Sequence, residues 1–247
     1  MNWNDISQLL TENLALDRPP IGLHYQATRP DDAIGFKGEQ GCLVALLKAV
    51  ERGKVAAVSG DAGCFGGRFY CGFSGKPRPE QAHFVSCVEH YIKTPELCNR
   101  IWSEFPPLDA SGKWLIFQRL HEYRGSLEPE VAVFLAKPDS IAGLHFLACY
   151  DKGVDGVIAP FASGCGSIIA FPRMEARQGT HRAVLGLFDP SARAVEDPAV
   201  LSFAVDATRL KEMAANVGEC FLQHDAWKKI RGQVRPRMIR RRCTFSA

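Results

Sequence analysis

Residues 46–64, "LLKAVERGKVAAVSGDAGC", decide the fold, and residues 146–165, "FLACYDKGVDGVIAPFASGC", repeat their grammar. In each window an apolar helical stripe closes at a glycine, Gly53 or Gly153, as a helix C-terminus requires. A short apolar run of the fully buried strand type follows, and small residues then lead to Gly-Cys. A strand-like run also precedes each helix: "IGLHYQ" (21–26) alternates, and "EVAVFLAK" (130–137) is continuously apolar. The expectation is an α/β chain, with mixed α+β as the alternative, built from two pseudo-repeated βαβ-like halves that share a mixed sheet. Right-handed crossovers within each half would set the two Gly-Cys corners near one another, beyond the carboxyl ends of strands where α/β sheets collect ligands.

The elements around these windows follow from periodicity. Ile6, Leu9, Leu10 and Leu14 predict an amphipathic helix over 4–15, stopped by "DRPP". Residues 41–53 read as a helix on Leu43, Leu46, Leu47 and Val50, and 80–103 as two helices broken at "KTPE". Strands are expected at "KWLIFQRL", "GVIAPFA", "AVLGLFD" and "LSFAVDA", and helices over 139–153 and 207–223. One domain is read over 1–227, with halves at 15–125 and 126–227, followed by a basic tail at 228–247.

The 247 residues carry a formal charge of +3, but that figure averages two unlike parts. The tail holds eight Lys or Arg and no acid, leaving 22 basic against 27 acidic groups before it. Its "RPRMIRRR" has the charge to bind phosphate backbones but no interleaved aromatic residue to stack bases, so nucleic acid is not the expected partner. No apolar run reaches membrane-spanning length, and the N-terminus lacks a basic region followed by an apolar core, so a cytoplasmic protein is expected. In a reducing compartment, nine cysteines are small buried hydrophobes, metal or cluster ligands or reactive thiols rather than a disulfide framework.

The Gly-rich corners carry the chemistry. Gly63, Gly66 and Gly67 around Cys64, and Gly164 and Gly166 around Cys165, let the backbone wrap closely and turn N–H groups toward a ligand, although a tight strand-to-helix turn needs glycine on steric grounds alone. A thiolate at such a corner is expected to have a lowered pKa. "RPPIGLHY", a cysteine opening a helix (Cys42), "GCFGGRFYCGF", "EPEVAVFLAKPDSIAGLHFLACY", "FASGCGSI" and "LSFAVDATRLKEM" together resemble the bacterial and archaeal family catalogued as domain of unknown function 169, over most of residues 15–217. The resemblance implies a shared fold and places emphasis on Cys42, Cys64 and Cys165; it supplies no reaction.

Three thiolates suit an iron–sulfur cluster with one iron left for a substrate, water or side chain. They equally suit a zinc or other soft-metal site completed by His or a carboxylate. A thiol enzyme without metal and a non-catalytic small-ligand binding or sensing protein remain as alternatives. A small molecule or an electron-transfer partner is expected, and self-association of the chain stays open. Elsewhere, His83, Cys87 and His90 fall at i, i+4 and i+7 and read as a zinc face or, more simply, as core beside Phe84, Val88 and Tyr91. Cys71, Cys149 and Cys220 read as core, and Lys48, Arg52, Arg68 and Arg173 as cations near the corners that could receive an anionic substrate. Phosphate-loop, dinucleotide and common hydrolase motifs are missing from the sequence.

Overall fold

The computed structural model describes residues 1–36, 41–60, 63–75, 77–105 and 108–232. Seven strands, β1 (Ile21–Gln26), β2 (Ala56–Val58), β3 (Trp114–Arg119), β4 (Val131–Ala136), β5 (Val157–Ile158), β6 (Ala183–Gly186) and β7 (Leu201–Asp206), form a mixed sheet in the order β2-β3-β1-β4-β7-β6-β5. Neighbours run antiparallel except β5 and β6, which are parallel. The chain is therefore mixed α/β, and pairing of β1 with β4 carries the sheet across its middle.

Alternation along the strands divides the core in two, because successive side chains leave a strand on opposite faces. Ala132, Phe134 and Phe203 face α1 (Trp3–Asn13), α6 (Pro138–Cys149) and α9 (Ala207–Asn216). Ile21, Leu23, Val131 and Val133 face α2 (Leu43–Glu51) and a helix that starts at residue 164. That second helix passes through a π-turn (Gly166–Ala170) into α7 (Phe171–Gln178). Between β2 and β3, α3 (Phe65–Tyr70), α4 (Pro79–His83) and α5 (Pro95–Glu104) close a satellite core of Phe69, Ala82, Cys98 and Trp102.

The repeat does not carry through to the architecture. β1 and β2 are parallel with β3 between them, whereas β4 and β5 are parallel with both β7 and β6 between them. A two-fold rotation that exchanged β1 with β4 would keep both connecting helices on one face, yet α2 and α6 pack on opposite faces. The expected strand over 156–162 shrinks to Val157–Ile158, since Pro160 has no N–H for the ladder. The helix expected over 207–223 ends at Asn216, with a separate 3₁₀ turn at Phe221–Gln223.

Candidate functional site

β2 and β5 are the two edge strands of the sheet, so the Gly-Cys corners that follow them begin about 29 Å apart, six strand spacings. They also point opposite ways, because β1 and β4 are antiparallel. The corners nonetheless meet, not at a switch point of the sheet but on the face covered by α2. There α2 packs on β1 and β3, the π-turn packs on β6 and β7, and Gly164 fits against Val44 of α2, where an added Cβ would come within 3.1 Å.

Each of the three expected cysteines sits where a helix begins, and each follows a glycine. Cys42 is the N-cap of α2 and half-buried, and its side chain makes no capping hydrogen bond. Cys64 is the exposed N-cap of α3, and its Sγ accepts the Gly67 N–H at 3.3 Å. Cys165 is buried in the first turn of the helix that starts at 164, where Ser163 Oγ accepts the Gly166 N–H at 3.2 Å. The dipeptide Gly41-Cys42 is the third Gly-Cys of the chain, a signal in the sequence that would have joined Cys42 to the two corners. The ring of Phe36 links two of the three: a Cβ on Gly41 would come within 2.3 Å of it and one on Gly63 within 2.9 Å.

Gly67 lies between two of the sulfurs. A methyl group there would sit 3.4 Å from Cys64 Sγ and 3.9 Å from Cys165 Sγ, so the two sulfurs are no further apart than those distances combined. The other glycines divide by role. Gly63 has φ +93°, a conformation L-residues avoid, while Gly66 opens on empty space. Gly164 and Gly166 are packing contacts, against Val44 and Ala192 and against Ala162 and Tyr70.

Cys71, read as core and buried as such, and Asp189, which sequence reasoning passed over, also belong to this group. Cys71 caps the C-terminal end of α3 and is wholly buried. Asp189 caps α8 (Pro190–Arg193): one carboxylate oxygen accepts the Ala192 N–H at 2.9 Å, and the other accepts the Gly164 N–H. The corner of Cys165 is thus tied to a separate helix.

The expected fall in thiol pKa is not found at Cys42 or Cys165. Burial pushes both thiols up. Mutual repulsion adds to this: Cys64 raises Cys42, and Cys71, Cys64 and Cys42 all raise Cys165. Burial pushes the Tyr70 hydroxyl beside Gly166 up to about 12. Among the described residues, no three His, Cys, Asp or Glu side chains are arranged to hold a single metal ion.

Most of the remaining candidates separate from the site. His83, Cys87 and His90 are exposed rather than in the core, because residues 84–88 form a π-turn that breaks the i, i+4, i+7 alignment and buries Ser86 instead. Cys149 is half-buried, while Cys220 is core. Lys48 and Arg52 line an open cleft of about 530 Å³ with Arg18, Glu51 and Glu196, toward the other end of α2 from Cys42. Arg173 is buried, bonded to Glu130 (3.0 Å), Tyr25 Oη (3.2 Å) and the Asp109 carbonyl (3.1 Å). Arg68 follows Gly67 on α3, and Arg173 reaches the thiol group through Tyr25, which donates to the Cys71 carbonyl at 2.7 Å. The motif "RPRMIRRR" lies outside the described residues. No helix of the described residues is long and apolar enough to cross a membrane.

No curated protein and no solved structure matches the chain. Residues 9–216 match the profile of a family described as DUF169, "Uncharacterised ArCR". That span takes in Cys42, Cys64, Cys71, Cys165 and Asp189, every member of the thiol group, and the chain belongs to this family.

Proposed function

We propose that this chain is a cytoplasmic iron–sulfur protein with a redox or small-molecule-converting role, its cluster held by Cys42, Cys64 and Cys165. The observation that carries the reading is the approach of Cys64 and Cys165, a hundred residues apart in sequence, across the bare surface of Gly67, with the helix start of Cys42 joined to them through Phe36 and Val44. The donor set fits the group. Thiolates are soft ligands suited to iron–sulfur clusters, and a cluster spreads its ligands over a core of several atoms, unlike a single zinc ion. The cluster supplies one-electron transfer when bound.

The protein's own residues set the conditions. The Gly67 N–H donates to Cys64 Sγ at 3.3 Å, the kind of contact that tunes a cluster's potential. Phe36 and Tyr70 wall the site, and Asp189 holds the Cys165 corner through Gly164. Ligation exchanges each S–H proton for a bond to the metal, and the bound cation offsets the repulsion between thiolates that raises Cys42 and Cys165. The partner, a small molecule or an electron-transfer protein, would approach the side on which Cys64 is exposed.

The test is iron and acid-labile sulfide content with an anaerobic visible spectrum, on wild type and Cys64→Ser. Near-stoichiometric iron and sulfide, with broad visible absorbance that collapses in the variant, is the expected result. Colourless, metal-free protein made with iron supplied overturns it. A second reading, metal-free thiol chemistry, draws on the exposure of Cys64 and the Gly67 N–H at its sulfur. Rapid alkylation of Cys64 in metal-free protein, with the other thiols protected, is the result that reading requires.

A further inference from the structure

We infer that Cys71 is a fourth ligand of the same centre, so that the cluster is held by four protein thiolates and no iron is left open. The inference rests on the iron–sulfur reading above and sharpens it from substrate conversion toward electron transfer. It starts from α3. Cys64 and Cys71 are seven residues apart, close to two helical turns, and Gly67 lies between them on the same side of the helix. That side is turned to Cys165, whose sulfur would lie 3.9 Å from a methyl group on Gly67. A side chain at 67 would stand between the sulfurs; glycine leaves the stripe open from one thiol to the other.

Cys71 is wholly buried and shares one apolar cluster with Cys165, with Cys42 packed against its edge. Arg173 is a buried guanidinium stacked over the Tyr25 ring, 4.4 Å from its centroid. Arg173 also donates to Tyr25 Oη at 3.2 Å, and Tyr25 donates in turn to the Cys71 carbonyl at 2.7 Å, which fixes the backbone of the fourth thiol. Ligation exchanges the Cys71 S–H bond for an S–Fe bond, the proton leaving to solvent; the buried cation beside it offsets part of the charge that remains.

The experiment uses full-length protein loaded anaerobically with iron and sulfide: wild type, Cys71→Ser, Cys64→Ser and Cys98→Ser. Cys98 is equally buried but belongs to the satellite core, so it controls for loss of a core thiol. Iron retention against a chelator is expected to fall at least about tenfold in Cys71→Ser and Cys64→Ser and to stay at the wild-type level in Cys98→Ser. Should Cys71→Ser not fold by circular dichroism, the reduced wild-type protein decides by electron paramagnetic resonance. A spectrum unmoved by excess imidazole or cyanide supports four thiolates, and one shifted by either ligand reveals an open iron and overturns the assignment. A cluster lost in Cys64→Ser but unchanged in content and spectrum in Cys71→Ser overturns the role of Cys71 alone. Wild-type protein that takes up no iron or sulfide overturns the assignment together with the reading on which it rests.

Discussion

Gly67 sits in the interior of a short helix, a position where glycine costs up to about 1 kcal/mol relative to alanine. Its neighbours do not demand glycine for the fold: a methyl group would make ordinary contacts with the two sulfurs at 3.4 and 3.9 Å. Gly67→Ala is therefore expected to hold or raise the thermal midpoint of the metal-free protein while lowering iron retention, because the methyl occupies the space between the thiols. Gly66→Ala, which meets nothing within 4 Å, is the matched control and should gain the same helix stability with iron retention unchanged. Equal iron retention in the two variants would show that Gly67 is an incidental helix residue. Much at this scale was legible beforehand. Gly-Cys at 63–64 and 164–165 marked two of the thiols, and Cys42 was marked as a cysteine opening a helix. Cys71 was not, since a buried cysteine reads the same whether its neighbours are leucines or sulfurs.

At the scale of elements, two helix starts carry predictions. Asp189 caps a four-residue helix and also takes the Gly164 N–H, so it joins α8 to the Cys165 corner. Asp189→Ala should cost about 1 kcal/mol, read as a lower urea midpoint, and should weaken iron retention by freeing that corner. An unchanged midpoint and unchanged retention would remove the clamp from the account. On the opposite face Arg209, wholly buried in α9, binds Asp151 and Glu212 (2.7 Å) and donates to the Ala148 carbonyl at 2.7 Å. Arg209→Ala should cost about 3 kcal/mol by urea denaturation, since it orphans a buried carbonyl and unpairs two carboxylates. A loss under about 1 kcal/mol would show that the pairing is repaid elsewhere. Periodicity identified most elements: α2, β3, β4 and β7 fall inside their expected spans, and α6 starts one residue before its own and ends four short. It missed the π-turns at 84–88 and 166–170, where i→i+5 bonding follows from packing against α5 and against β6 and β7.

For the whole molecule, acid sensitivity tests how the sheet buries its polar groups. His24 on β1 is buried, its Nδ1 2.8 Å from Tyr123 Oη, and burial holds the imidazole below its ordinary value against the opposing pull of Gln26 and Glu130. The unfolded chain takes up this proton near pH 6.5, the folded chain only at lower pH. Stability from His24 is thus complete above about pH 6.5 and falls as the pH drops toward the folded value. His121, also depressed, adds a slope of the same sign. Urea midpoints at about pH 8, 6.5 and 5 should decline in wild type and decline less in His24→Gln; parallel declines would assign the slope elsewhere. By itself the sequence determined the α/β class, the order of strands and helices along the chain and the two Gly-Cys corners, because local periodicity, glycine and proline act over a few residues. Only the tertiary structure decided which strands pair, which face each helix covers and where the corners meet. Those choices depend on contacts between segments a hundred residues apart, and they turned two corners at opposite edges of a sheet, without a common symmetry, into one group of thiols.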